Sequence, residues 1–276
     1  MKAVAFDYLR PRDVTEAVAA LASRSDAKLL AGGQSLGPML NLRLVRPALL
    51  IDVSRIEALR RIEDGGAAWH IGGSVTHAQI EDAQGQMQGG EMLCEVAAGI
   101  AYRAVRNRGT VAGSLAHADP AADWPLALAA LSATVLVRDS RGATRPIPAD
   151  QFMVATFTTQ LRPDEIIERI EVPKLGPSAR YGYFKFCRKT GEFPEASAAV
   201  VVDPQRGSAR VFIGALQGAP QALPGIAETL SARGAAAVKQ EAVADAVAAA
   251  APALDPIDRR VHVTTVLRAI QRAFPQ

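Results

Sequence analysis

Apolar positions change their spacing several times along this chain, and the changes mark out its helices, strands and turns. Asp13 is followed three residues later by Glu16, the spacing of a helix-capping box, and Val14, Val18 and Leu21 then recur on one helical face. An amphipathic helix is predicted there. The segment 28–31 reads as a short buried strand entering Gly32-Gly33, a helical turn is expected over 36–44, and a second strand over 49–53. Strand, glycine turn, helix and strand make a βαβ-like unit, which favours a parallel pair.

Beyond residue 56 the pattern shifts to short strands near 69–71, 134–137 and 167–172 that flank helices at 76–82 and 91–101, a second α+β lobe. Pro173, Gly176 and Pro177 break the periodicity and mark a linker. Strands are expected at 183–186, 198–202 and 210–214, followed by closing helices at 235–251 and 258–273. The predicted units are 1–55, 56–173 and 178–276, giving an α+β fold of two lobes and a smaller C-terminal α+β domain.

Composition narrows the function classes. The 276 residues are 49% hydrophobic, 21% charged and 5% aromatic, which excludes a disordered chain. The uncharged apolar stretch 125–137 is shorter than the roughly 20 residues of a bilayer helix, and the first ten residues carry no apolar signal core. A soluble, unexported, cytoplasmic protein is expected. Two cysteines, Cys94 and Cys187, cannot build a Cys-rich zinc site or an iron–sulfur cluster within this chain. A net charge of +3, scattered along the sequence, does not point to nucleic acid. His70, His77, His117 and His262 are dispersed, and none has a metal-like partner at helical spacing.

Two segments carry candidate chemistry. In Lys28-Leu-Leu-Ala-Gly-Gly-Gln-Ser-Leu36 an apolar strand delivers the backbone to two glycines, so that peptide N–H groups can approach an anion. Ser35 adds a hydroxyl, and the next helix begins with its positive end toward the same place. Gly33 is the glycine expected to permit the close approach. The segment reads equally as a tight strand-to-helix turn, and it is neither a GxGxxG nor a Walker A loop. The second segment, Arg106-Asn-Arg-Gly-Thr-Val-Ala-Gly-Ser114 followed by His117-Ala-Asp-Pro-Ala-Ala-Asp123, suits an extended loop running along a polar cofactor. Asp123 could accept hydrogen bonds from sugar hydroxyls. A plain helix start, with Asp119 as N-cap, Pro120 at N1 and Asp123 at N4, reads the same residues as well.

Ile71-Gly-Gly-Ser-Val-Thr76 imitates the first loop, yet Thr76 and Gln79 form a capping box that accounts for it without a ligand. Ser35 lacks the Gly-x-Ser-x-Gly context of a hydrolase nucleophile.

Ala31-Gly-Gly-Gln-Ser-Leu36, Arg106 to Ser114 and His117-Ala-Asp-Pro-Ala-Ala-Asp123, with the opening Phe6-Asp-Tyr-Leu-Arg-Pro11, resemble the FAD-binding medium subunit of molybdenum hydroxylases. That family includes carbon monoxide dehydrogenase, xanthine dehydrogenase and bacterial N-heteroaromatic hydroxylases, and the resemblance extends over essentially the whole chain. It implies a two-lobed FAD-binding fold of the vanillyl-alcohol-oxidase type, followed by a smaller domain with a three-stranded sheet and helices. It implies that Leu29, Leu30, Ala31, Gly32, Gly33, Gln34, Ser35 and Leu36 wrap the FAD pyrophosphate. Thr110, Val111, Ala112, Gly113 and Ser114 would form a second loop on the same diphosphate, with Asp123 at the ribityl or ribose hydroxyls. Ile100 and Ile167 match apolar flavin contacts, and Lys185 matches a lysine near the isoalloxazine edge, where a cation stabilises reduced anionic flavin.

Three departures stand out. Gln34 replaces the histidine usual in carbon monoxide dehydrogenases and points toward an N-heteroaromatic substrate. Ala112 replaces a usual glycine and requires only a negative φ. Phe193 lies in the segment where relatives place a Tyr or Trp over the flavin, and is a candidate lid or a hydrophobic loop anchor.

The implied protein is an electron-transfer subunit with FAD as its cofactor and no catalytic acid–base or metal residues of its own. Its partners would be a molybdenum-cofactor large subunit and a [2Fe–2S] small subunit, in a heterotrimer or a dimer of heterotrimers, together with a soluble electron acceptor. A self-sufficient FAD oxidase and a non-catalytic phosphate-binding module are the competing expectations. The first calls for a longer chain with a substrate cap; flavin content of the purified protein would test the second, and co-purifying molybdenum and iron would separate the subunit from the oxidase.

Overall fold

A computed structural model describes residues 2–275 as four sheets with helices layered between and around them. The first sheet is parallel, ordered β1-β3-β2, with β1 at Asp7–Leu9, β2 at Ala27–Leu30 and β3 at Leu49–Asp52. Helix α1 (Val14–Ser23) follows its N-cap Asp13, whose carboxylate accepts from the Glu16 amide, and buries Val14, Ala17 and Val18. The expected pairing of the two strands around the glycine turn is present, and β1 joins them as a third. Helix α2 is shorter than the 36–44 pattern suggests: it spans Leu36–Asn41 and ends in a turn with Arg43 at φ 57°.

The second sheet is antiparallel. β4 (Ile62–Asp64) and β5 (Ala68–Gly72) lead to α3 (His77–Asp82), which opens on the full Thr76/Gln79 capping box, and to α4 (Glu91–Ala98). The short α5 (Arg103–Arg106), α6 (Val111–His117) and the apolar α7 (Asp123–Ala130) come next. β6 (Thr134–Arg138), β7 (Thr144–Pro148), the turn α8 (Ala149–Phe152), the small hairpin of β8 (Met153–Ala155) and β9 (Thr158–Thr159), and β10 (Ile166–Pro173) complete the region. The strand order is β4-β5-β10-β6-β7. Trp124 and Phe152 are fully buried at the centre of its core.

After residues 174–179 the chain forms a third sheet, β11 (Arg180–Phe186), β12 (Ala196–Asp203), β13 (Ser208–Gly214) and β14 (Gln221–Ala222), in that order. It has four strands rather than three, because the two-residue β14 closes one edge. Helices α9 (Pro224–Arg233), α10 (Gln240–Ala250) and α11 (Pro256–Ala273) cover it. The alanine-rich stretch is therefore not one helix from 235 to 251. Residues Ala235–Ala237 form a single 3₁₀ turn, and the preceding helix begins at Pro224, whose fixed φ suits a first helical position.

β12 is buried on both faces, and its alternation sorts its side chains between two cores. Ala199 and Val201 join the core around Trp124, while Ala198, Val200 and Val202 face α9 and α11. Helix α11 lies so close to β11 that a Cβ on Gly182 would fall 1.9 Å from the Ala269 carbonyl oxygen, so only glycine fits there.

Candidate functional site

The first glycine loop leaves the carboxyl end of β2 in the parallel sheet, the edge at which open α/β sheets collect their ligands. Gly33 adopts φ +70°, and the amides of residues 33–36 donate to no protein acceptor among the described residues. The Gln34 side chain folds back onto the Gly32 carbonyl at 3.3 Å. A Cβ on Gly33 would meet only Leu30 Cδ1, at 3.3 Å, so this residue owes its identity to its left-handed backbone. The tight backbone approach belongs instead to Gly32, where a Cβ would lie 1.9 Å from the Arg108 carbonyl oxygen. Gly32 thus presses the first loop against the start of the second.

The second segment is not extended. Thr110 is the N-cap of α6, its hydroxyl accepts from the Gly113 amide at 3.0 Å, and Val111 to Ser114 are the first helical residues. Ala112 has a helical, negative φ, so its methyl group causes no strain. Val111 is fully buried and Ala112 nearly so, leaving backbone and the Thr110 and Ser114 hydroxyls as the polar groups of this turn. The imitation loop supports it: the Val111 amide donates to the Val75 carbonyl and the His77 amide to the Gly109 carbonyl. The glycines of that loop serve protein contacts, Gly72 facing the Leu59 carbonyl and Gly73 the Ile167 carbonyl.

His77 joins this turn to Trp124 at the start of α7. It is 5% exposed, lies beside Gly109, and accepts a 3.0 Å hydrogen bond at Nδ1 from Trp124 Nε1. Burial, reinforced by the charge of Arg106, lowers its pKa to about 4, and the neutral ring is the form that can accept the indole N–H. Asp123 is the first residue of α7, with Ala122 rather than Asp119 as N-cap. Asp119 caps only its own turn, accepting from the Ala121 amide at 2.9 Å. The Asp123 carboxylate is buried and bound across the molecule: Oδ1 accepts from Tyr183 Oη at 2.6 Å and from Lys185 Nζ at 2.8 Å. Among the described residues no protein donor reaches its Oδ2.

The remaining candidates gather beside this ion pair. Lys185 Cε passes Gly99, next to Ile100, in a turn whose carbonyls at 100 and 101 both accept from Arg106. Arg106 is itself clamped by both oxygens of Glu81, which holds Ala101 at φ 41°. Gly191 lies against the Ala101 backbone, so the loop bearing Phe193 reaches the same turn, with Phe193 itself 67% exposed. Ile167 is different: its side chain is 4% exposed and packed into the core, and it meets the site through its carbonyl under Gly73. Leu29 packs with the first-sheet core.

Tyr183 and the part played by His77 are features of this arrangement that sequence reasoning missed, while Arg106 and Arg108 lay in the second segment without a role of their own. Tyr183 stands two residues before Lys185 and so shares its face of β11, which was its signal.

Residues 4–175 match the family described as the FAD binding domain in molybdopterin dehydrogenase. The chain is 35% identical to the nicotine 6-hydroxylase medium subunit of Paenarthrobacter nicotinovorans over 249 residues, covering 89% of this chain and 87% of the relative. It is 32% identical to the caffeine dehydrogenase subunit beta of a Pseudomonas species, covering 73% of this chain and 69% of that one. Among solved structures it superposes on a chain of carbon monoxide dehydrogenase from Hydrogenophaga pseudoflava with a TM-score of 0.91 and 34% identity, covering 99% of each. With a family match over residues 4–175, a relative 35% identical over 89% of the chain and a solved chain superposing over 99% of it, the protein belongs to the FAD-binding medium subunits of the molybdopterin dehydrogenases, and is an oxidoreductase component with FAD as its cofactor.

Proposed function

We propose that this chain is the electron-transfer subunit of a multi-subunit molybdenum hydroxylase, built as a vanillyl-alcohol-oxidase-type fold in which lobes 1–55 and 56–173 clasp FAD and 178–276 closes over it. The observation that carries this reading is the contact of Gly32 with the Arg108 carbonyl, which sets the unpartnered amides of the first loop beside the capped start of α6. The residues fit the cofactor. Backbone N–H groups without protein acceptors suit a pyrophosphate, and the Oδ2 of buried Asp123 suits a sugar hydroxyl. The Lys185 ammonium suits the flavin edge, beside Ile100 and within reach of the loop of Phe193.

Bound there, FAD would supply two-electron storage between one-electron carriers and a terminal acceptor. The chain's own residues hold, orient and electrostatically bias the cofactor. Hydroxylation is assigned to a molybdenum-bearing partner, electron supply to a [2Fe–2S] partner in a cytoplasmic heterotrimer, and the substrate class to N-heteroaromatic compounds, as the names of the nicotine and caffeine relatives suggest. Among the described residues no helix is long and apolar enough to cross a membrane.

The test is the visible spectrum of the purified chain, with chromatography of the flavin released by acid. Flavin bands and released FAD are expected, with molybdenum and iron co-purifying when the chain is isolated from its native host. A folded, colourless protein that takes up no added FAD would return both loops to the status of ordinary turns.

A further inference from the structure

The contacts around Asp123 point beyond its own role. Tyr183 is buried, and its phenol lies 2.6 Å from Asp123 Oδ1, on a strand 60 residues further along the chain. Lys185, on the same strand face, donates to the same oxygen at 2.8 Å. Two donors converging on one oxygen restrain the carboxylate and, among the described residues, leave its other oxygen without a protein donor. The strand that carries them is itself anchored: Arg272 Nη1 donates to the Tyr183 carbonyl at 2.7 Å and approaches Glu95 at 3.5 Å. Burial first, and the Asp123 charge second, push the phenol well above its ordinary pKa, so it remains a donor throughout the physiological range. Packing alone would be served by phenylalanine, so the hydroxyl's contribution is this one bond.

We propose that Tyr183 is a positioning residue for the flavin site: it locks Asp123 with Oδ2 turned toward the cofactor's sugar hydroxyls, and shares Oδ1 with Lys185 so that the carboxylate does not take up the whole of the ammonium's field. The inference rests on the reading of this site as the FAD site. Without the phenol, Asp123 can rotate and pair more fully with Lys185. Both the sugar contact and the positive field at the ring then weaken.

The experiment titrates FAD into the deflavinated full-length chain for wild type, Tyr183→Phe, Asp123→Asn and the double variant, with the flavin midpoint potential read on each. A bond to a charged acceptor is worth about a factor of ten or more in affinity. Tyr183→Phe is accordingly expected to raise the FAD Kd about ten-fold and to move the potential to more negative values. Because Tyr183 acts through Asp123, the double variant should bind no more weakly than Asp123→Asn alone. An unchanged Kd and potential in Tyr183→Phe, or additive losses in the double variant, would overturn the proposal. So would a Phe variant that no longer folds, since the phenol would then be a structural clip. Failure of the wild type to bind FAD would instead remove the functional reading itself.

Discussion

His77 shows how much one buried side chain can commit a protein to a pH range. Its ring must stay neutral to accept the Trp124 indole N–H, and burial together with Arg106 holds its pKa at about 4. In the unfolded chain the same imidazole titrates near 6.5, so between these values the unfolded state binds the extra proton and the folded state does not. Stability is therefore full above pH 6.5 and is lost as the pH falls toward 4, by roughly 3 kcal/mol for this group alone. Replacing His77 with Gln keeps an acceptor but removes the titration. Urea unfolding between pH 4 and 7 should show a shallower pH dependence in His77→Gln than in the wild type; parallel curves would mean that the ring titrates alike in the folded and unfolded states.

At the scale of elements, the two loops lie against each other because Gly32 has no side chain, and the proposed function makes them one clasp. Gly32→Ala must separate the first loop from the Arg108 carbonyl, and the flavin-to-protein ratio of the purified variant is expected to fall to near zero. Gly33→Ala should cost about 1 kcal/mol of backbone strain and weaken flavin retention without abolishing it. Comparable flavin content in both variants would contradict this division of labour. The strands and the α1 and α3 caps were legible because their signals are local: alternation, an Asp or Thr followed by a Glu or Gln, and glycines at strand ends. Where tertiary contacts decide, local reading went astray. Asp119-Pro120 has the form of a helix start, yet α7 begins at Asp123, whose carboxylate is engaged by Tyr183 and Lys185 from a distant strand. Small residues at 110–114 suggested an extended loop, but Thr110 caps the Gly113 amide and starts a helix. Helix α9 escaped notice because its second residue is Gly225, a weak helix former, and its stability comes from Ile226 and Leu230 under the third sheet.

Across the whole molecule, the site is assembled from segments distant in sequence and fixed by contacts that cross between sheets. Tyr183 and Lys185 bind α7 from the third sheet, Arg210 reaches the Ala129 carbonyl and Asp150, and β12 lends one face to each of two cores. The glycine loops could be recognised one at a time in the sequence, whereas their contact through Gly32 could not, since nothing local records that residue 108 will lie against residue 32. That contact has a kinetic consequence. A clasp whose two halves already touch has no slow closing step to undergo, so cofactor capture should proceed as a single bimolecular event. In stopped-flow mixing of the deflavinated chain with FAD, the observed rate is expected to rise linearly with FAD concentration, and a plateau would reveal that the halves must first part. If the loops hold the cofactor as proposed, the missing methyl group of one glycine would then set how quickly a newly made chain becomes a flavoprotein.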